Sequence, residues 1–200
     1  TSGADRFGQG SQGATIWITG LHGSGKNRLA FTLEKQLFHQ GATVVLLDGS
    51  TIRSGLSREL DFSPADRTEH LRRVAHIAKI LNDQGIITIC SFISPTAGIR
   101  RQCAEIIGED RFHLIHMDAS IEYCKNNKPD LYNKAEEGTC KDVPGIDNIW
   151  EKPDNAIMDL DPEDIVNNPE RIIKFLSDKK IFPLKWSYYR RRTMTGKSKI

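Results

Sequence analysis

A glycine-rich segment at residues 20–27 (GLHGSGKN) constrains this chain more than any other part of it. Gly20 and Gly25 are separated by four residues, Lys26 follows directly, a β-rich run precedes them and a helical pattern follows. In that setting successive backbone amides face one phosphate, the helix N-terminus adds partial positive charge, and the lysine reaches the outer phosphates. The sequence therefore predicts a nucleotide-binding loop. The predicted ATP-binding residues are Gly20, Leu21, His22, Gly23, Ser24, Gly25, Lys26 and Asn27.

Strand and helix patterns alternate along the rest of the chain. Strands are predicted at residues 14–19, 44–47, 86–90, 112–117 and 156–160. Helices are predicted after the loop up to Gly41, then from 64 to 85, 97 to 107 and 163 to 176, and Pro169 predicts that the last one is bent or begins late. This alternation predicts an α/β domain of the P-loop NTPase fold, with a parallel sheet of about five strands and helices on both faces. The polar residues 126–154 predict a lid region.

Composition divides the chain into three parts. Residues 1–13 are predicted to be an extension or linker, 14–178 the phosphate-loop domain, and 179–200 a basic tail. The tail carries a formal charge of +8 and the remainder −6, so nucleic acid is not expected as a partner of the domain. The tail is either a solvated terminus or a contact for phosphates or an acidic partner. No stretch approaches the roughly 20 apolar residues of a membrane span.

The four cysteines stand thirteen or more residues apart, at Cys90, Cys103, Cys124 and Cys140. That spacing predicts reduced thiols and no metal site built from cysteine. The chain opens at Thr1 without an apolar signal core, which predicts a trimmed or fused segment of a cytoplasmic protein.

The residue after the loop lysine departs from the usual motif. A serine or threonine hydroxyl ordinarily ligates magnesium there, and this chain has Asn27. An amide oxygen can ligate a hard cation, but the side chain is longer and neutral, and magnesium requires tight octahedral geometry. The sequence therefore supports nucleotide binding better than efficient phosphoryl transfer.

Over residues 14–176 the chain resembles adenylyl-sulfate kinases, which use ATP to phosphorylate the ribose 3′-hydroxyl of adenylyl sulfate. The resemblance rests on six stretches in family order: residues 16–21 (IWITGL) with the loop, 47–56 (LDGSTIRSGL), 60–67 (LDFSPADR), 91–95 (SFISP), 131–135 (LYNKA) and 145–147 (GID). It implies ATP, Mg²⁺ and adenylyl sulfate as ligands, a role in sulfate activation, a homodimer, and an ATP sulfurylase as a fused or associated partner.

The resemblance also implies roles for individual residues. Arg53 and Arg67 would hold the phosphosulfate group, for which guanidinium forks are better suited than lysine. Phe62 would stack on adenine. The remaining substrate-site residues would be His70, Ser91, Ile93, Pro95 and, in the lid, Lys141. Lys26 and Asp48 would be catalytic, and Asn27 and Asp48 would be the metal-side residues.

Four site positions depart from the family pattern: Asn27, Ser50, His70 and Val143. Ser50 replaces a carboxylate, His70 an asparagine, and Val143 a stacking aromatic of the lid. Three hypotheses follow from them. The chain is an adenylyl-sulfate kinase, or a catalytically impaired kinase-like domain that binds nucleotide as a regulatory module, or a kinase of this family with an altered acceptor.

Overall fold

The sheet is parallel throughout and has the strand order β2-β3-β1-β4-β5. The computed structural model describes residues 13–182. The elements are β1 (Thr15–Thr19), α1 (Lys26–His39), β2 (Val44–Asp48), α2 (Gly49–Ser54), α3 (Pro64–Asp83), β3 (Ile87–Ser91), α4 (Ala97–Ile107), β4 (Phe112–Met117), α5 (Ile121–Asn127), α6 (Pro129–Glu136), β5 (Met158–Leu160) and α7 (Asn167–Asp178).

Strand β1 lies at the centre of the sheet, and all five of its residues are therefore buried. Ile16 pairs with Ile89 of β3 on one side and with His113 of β4 on the other. Successive side chains of a strand point to opposite faces, so Ile16 and Ile18 enter one hydrophobic cluster and Trp17 enters another.

Helices cover both faces of the sheet. The first cluster contains Leu33 of α1 and Ile172 of α7, and the second contains Val74 of α3 and Cys103 of α4. A third cluster lies beneath the glycine-rich loop and is formed by Leu21, Cys124, Tyr132, Ala135 and Val143. The predicted five-stranded parallel sheet with helices on both faces is therefore confirmed. Within residues 13–182, no helix has both the length and the apolar character needed to cross a membrane.

Most element positions match the sequence patterns, and the differences concern short helices. Helix α4 and strand β4 occupy their predicted ranges, and α7 begins late, with Pro169 in its first turn. Helix α2, which follows β2 directly, was not predicted. Helices α5 and α6 together span residues 121–136, so the predicted lid region at 126–154 is partly helical. The proposed extension lies outside the described residues up to residue 12, and the tail does so from residue 183.

Candidate functional site

A cavity of about 760 Å³ opens at the carboxyl ends of the central strands, where ligands bind in open α/β sheets. The glycine-rich loop and the start of α1 form one wall, and α2 and α3 form the opposite wall. The lining residues are His22, Gly23, Gly25, Lys26, Asn27, Arg28, Gly49, Ser50, Arg53, Phe62, Arg67, His70, Leu71, Ser91, Phe92, Ile93, Ser94, Tyr123, Asn127 and Lys128.

The loop backbone takes conformations that require glycine. Gly23 and Gly25 have φ angles of 79° and 87°, in the left-handed region. A Cβ atom on Gly23 would lie 2.6 Å from the carbonyl oxygen of Cys124, so this position also permits a close approach of α5. Helix α1 begins immediately afterwards, at Lys26, and its N-terminus faces the cavity.

Helices α5 and α6 hold the loop from behind. The Tyr132 hydroxyl donates to the carbonyl of His22 at 2.8 Å, and the Asn127 amide donates to the carbonyl of Gly23 at 3.0 Å. Tyr132 is buried in the third cluster. Because these carbonyl groups are hydrogen-bonded to side chains of α5 and α6, the loop keeps its curled shape.

Lys26 is a buried cation at the wall of the cavity. Its Nζ donates to the carbonyl of Leu21 at 2.6 Å. Burial lowers its pKa to about 8. The pKa of the adjacent His22 is lowered to about 3, by burial first and by Lys26 second, so His22 is neutral and Lys26 supplies the charge of the loop.

This shifted lysine predicts a pH dependence of nucleotide binding. A bound phosphate favours the charged amine, so Lys26 must take up a proton on binding once the pH exceeds about 8. ATP affinity is therefore expected to fall as the pH rises through that value, by at most about tenfold per pH unit. Calorimetry across a pH series measures the slope. In Lys26→Arg the guanidinium stays protonated, so an equal slope in that variant would show that another group titrates.

The two residues predicted to hold a metal already accept hydrogen bonds from other protein groups through their side-chain oxygens. Asn27 Oδ1 accepts a hydrogen bond from Ser91 Oγ at 2.7 Å. Asp48 is the N-cap of α2: Oδ1 accepts from the backbone N–H groups of Ser50 and Thr51 at 2.9 and 3.1 Å, and Oδ2 accepts from Thr51 Oγ1 at 2.6 Å. Within residues 13–182, no group of three or more His, Cys, Asp or Glu side chains could hold a metal ion. This donor set does not fit a magnesium ion.

Two arginines form the wall opposite the loop. Arg53 donates to the carbonyls of Leu60 and Asp61 at 2.9 and 3.0 Å, and its guanidinium lies 4.4 Å from the centre of the Phe62 ring. Arg67 donates to the carbonyl of Phe62 at 3.2 Å. These contacts bring together the three side chains that the resemblance assigned to the acceptor.

The lid reaches this wall through one of the two arginines. Arg67 also donates to the carbonyl of Asp142 at 2.8 Å. The two carboxylate oxygens of Asp147 accept from the backbone N–H groups of Asp142 and Val143, which fixes the turn of the lid. Residue 142 is therefore positioned beside the cavity.

His70 lies between the arginines and the sheet. It is 3% exposed, its ring packs edge-on against Phe92 at 5.5 Å, and neither ring nitrogen has a hydrogen-bond partner among residues 13–182. Burial, and after it the charges of Arg53 and Arg67, lower its pKa to about 4, so the imidazole is neutral. A neutral ring with free nitrogens can donate to an anion or accept from a hydroxyl group.

Several predicted site residues do not line the cavity. Val143 is 2% exposed and packs with Leu21 in the third cluster, and Lys141 is exposed. Pro95 is buried and its carbonyl accepts from the backbone N–H of Glu151 at 2.8 Å. The other predicted residues outside the lining are Gly20, Leu21, Ser24 and Asp48. The roles assigned to all of these residues stay predictions.

The lining also includes residues that the sequence patterns did not indicate. Arg28 donates to the carbonyl of Pro162 at 2.7 Å, and Tyr123, Asn127 and Lys128 come from α5 and its C-terminus. Arg28 could have been predicted as a lining residue, because it lies in the first helical turn after the loop. The residues of α5 could not have been predicted, because a helix this short shows no hydrophobic periodicity in its sequence. Gly49, Leu71, Phe92 and Ser94 complete this set.

Comparisons with known proteins show the family of the chain. A model of the adenylylsulphate kinase family matches residues 12–161. The chain is 34% identical to the APS kinase CysC of Mycobacterium tuberculosis, solved in complex with AMPPNP and APS, with a TM-score of 0.80 over 84% of this chain and 99% of that chain. The crystal structure of APE1195 is 35% identical, with a TM-score of 0.73 over 84% of this chain and 95% of that chain. A hexameric APS kinase from Thiobacillus denitrificans is 27% identical, with a TM-score of 0.66 over 87% of this chain and 30% of that chain.

Proposed function

Because the chain belongs to the adenylylsulphate kinase family, we propose that it transfers the γ-phosphoryl group of ATP to the ribose 3′-hydroxyl of adenylyl sulfate. One observation carries the proposal: the phosphate loop with Lys26 and the pair Arg53 and Arg67 line one cavity. A donor nucleotide on one wall and an anionic acceptor on the other would bring the γ-phosphoryl group and the hydroxyl together. Membership itself establishes a nucleotide kinase fold and role.

The two walls of the cavity would have different roles. Lys26 and the loop amides would stabilise the charge that spreads over the transferred group. The two arginines would hold the phosphosulfate group by charge-assisted hydrogen bonds, with Phe62 against the base. Asp48, at the start of α2, would serve as the catalytic carboxylate. Mg²⁺ accompanies ATP in most such transfers. The side-chain oxygens of Asn27 and Asp48 already accept hydrogen bonds within the protein, so no step of the transfer is attributed to the ion.

The remaining expectations belong to this proposal. They comprise a role in sulfate activation, a homodimer, an associated or fused ATP sulfurylase, and a cytoplasmic location. They rest on the family resemblance alone.

A turnover assay tests the proposal directly. The full chain is given ATP and adenylyl sulfate, and 3′-phosphoadenylyl sulfate is measured by chromatography together with ADP. Product is expected. Arg67→Ala is expected to weaken acceptor binding roughly ten- to a hundredfold with little effect on ATP, because a charge-assisted contact contributes about 1.5–3 kcal/mol.

Arg101→Ala is the matched control, because Arg101 is exposed on α4 and pairs with Glu105 at 3.8 Å, outside the cavity. Nucleotide binding without turnover would contradict the proposal in favour of a regulatory module. Turnover with a different nucleotide only would indicate an altered acceptor, for which His70 and the lid are the altered positions.

A further inference from the structure

We propose that the cavity binds the nucleoside triphosphate as a metal-free polyanion, with its charge met by side-chain cations rather than by a divalent ion held by the protein. The inference rests on the nucleotide-binding half of the proposed function. It concerns binding and assigns no residue to the transfer step.

The first observation is the bond between Asn27 and Ser91. Asn27 occupies the position from which a serine or threonine hydroxyl would reach a metal beside the outer phosphates. Its amide oxygen instead accepts from Ser91 Oγ at 2.7 Å, and Ser91 is buried at the end of β3. The strand thus draws the amide oxygen toward the sheet. The amide NH₂ group is the remaining polar end, and an N–H donor suits a phosphate oxygen and not a cation.

The second observation is that the carboxylate of Asp48 is not part of the cavity wall. Both oxygens of Asp48 are bonded to the first turn of α2, and Asp48 does not line the cavity. The residue of this turn that does line it is Ser50, which carries no charge. A magnesium ion here would lack the protein carboxylate that usually accompanies it.

The third observation is the charge of the lining. Among the described residues that line the cavity there is no Asp or Glu side chain. Five cationic side chains line it: Lys26, Arg28, Arg53, Arg67 and Lys128. Lys26, Arg28 and Lys128 lie on the loop side, where the triphosphate would bind. A cavity lined by one sign of charge attracts the opposite sign, so it favours a free polyphosphate and repels a divalent cation.

Calorimetry with AMPPNP tests the inference on the full chain, once with excess Mg²⁺ and once with EDTA. Mg²⁺ is expected to leave the affinity within about threefold or to weaken it, because chelation removes phosphate charge from the side-chain cations. Tightening by Mg²⁺ of more than about threefold would overturn the inference. Asn27→Ala is expected to leave the Mg²⁺ effect as in the parent, since no ligand is removed.

Asn27→Thr is the variant that should change the result. It returns a hydroxyl to the metal position, and Mg²⁺ is expected to tighten AMPPNP binding about tenfold or more in this variant. No Mg²⁺ effect in Asn27→Thr would overturn the inference that Asn27 removes the metal position. Binding only with Mg²⁺ would overturn this inference and leave the kinase proposal standing. No AMPPNP binding under either condition would overturn both.

Discussion

Lys26→Ala is expected to weaken ATP binding by up to about a hundredfold while the fold stays intact. The amine is a buried charge at the start of α1, and a charge-assisted contact to phosphate contributes up to roughly 3 kcal/mol. Removing it leaves no unpaired buried charge behind, so the melting temperature should not fall by much. Calorimetry with ATP and thermal unfolding measure the two effects.

Lys35→Ala is the matched control, because Lys35 is exposed on the same helix and does not line the cavity. It should leave ATP affinity unchanged. Equal affinity in the parent and in Lys26→Ala would show that the glycine-rich loop is not the phosphate site.

Ser50→Asp and Asn27→Thr together are expected to raise kcat more than the product of the two single effects. Ser50→Asp returns a carboxylate to the cavity wall facing the loop, and a positioned base contributes about 10²–10⁴-fold at most. Base assistance matters less in a loose phosphoryl transfer, so roughly ten- to a hundredfold is expected for this single variant. Both substitutions would restore groups of one metal-centred assembly that the parent lacks, which makes their effects non-additive.

Ser54→Asp is the control for added charge, because Ser54 lies on the same helix α2 and outside the lining. It should leave kcat unchanged. A parent that already turns over at roughly 1–100 s⁻¹, the usual kinase range, would contradict the premise that Ser50 and Asn27 limit the rate.

The sheet was predictable from the sequence because strands of a parallel sheet are often continuous apolar runs, and residues 44–47 (VVLL) form one. The long helices were predictable for a similar reason: α3 begins with Ser63 as its cap and Pro64 in its first turn. Helix α2 was missed because it begins at Gly49 and is held by the side chain of Asp48. Helices α5 and α6 contain seven and eight residues, too few for a helical period to be read.

The composition of the cavity could be predicted only in part. Arg53, Phe62 and Arg67 were placed in one site by resemblance, and they do meet. The position of Val143 was not foreseen, because its burial beneath the loop depends on packing with Leu21, which is distant in sequence. The bond between Asn27 and Ser91 was likewise hidden, since it joins residues 64 positions apart.

The bonds from Tyr132 and Asn127 to the loop carbonyls also bear on the kinetics of binding. The conformational entropy of the loop is lost when the domain folds, and it is not lost again when a nucleotide arrives. Encounter with the nucleotide then needs only a side-chain movement of Lys26 away from the Leu21 carbonyl, and side chains move on a nanosecond scale. Capture is therefore limited by diffusion and by the attraction between unlike charges, and nucleotides that differ in affinity differ mainly in how long they remain bound.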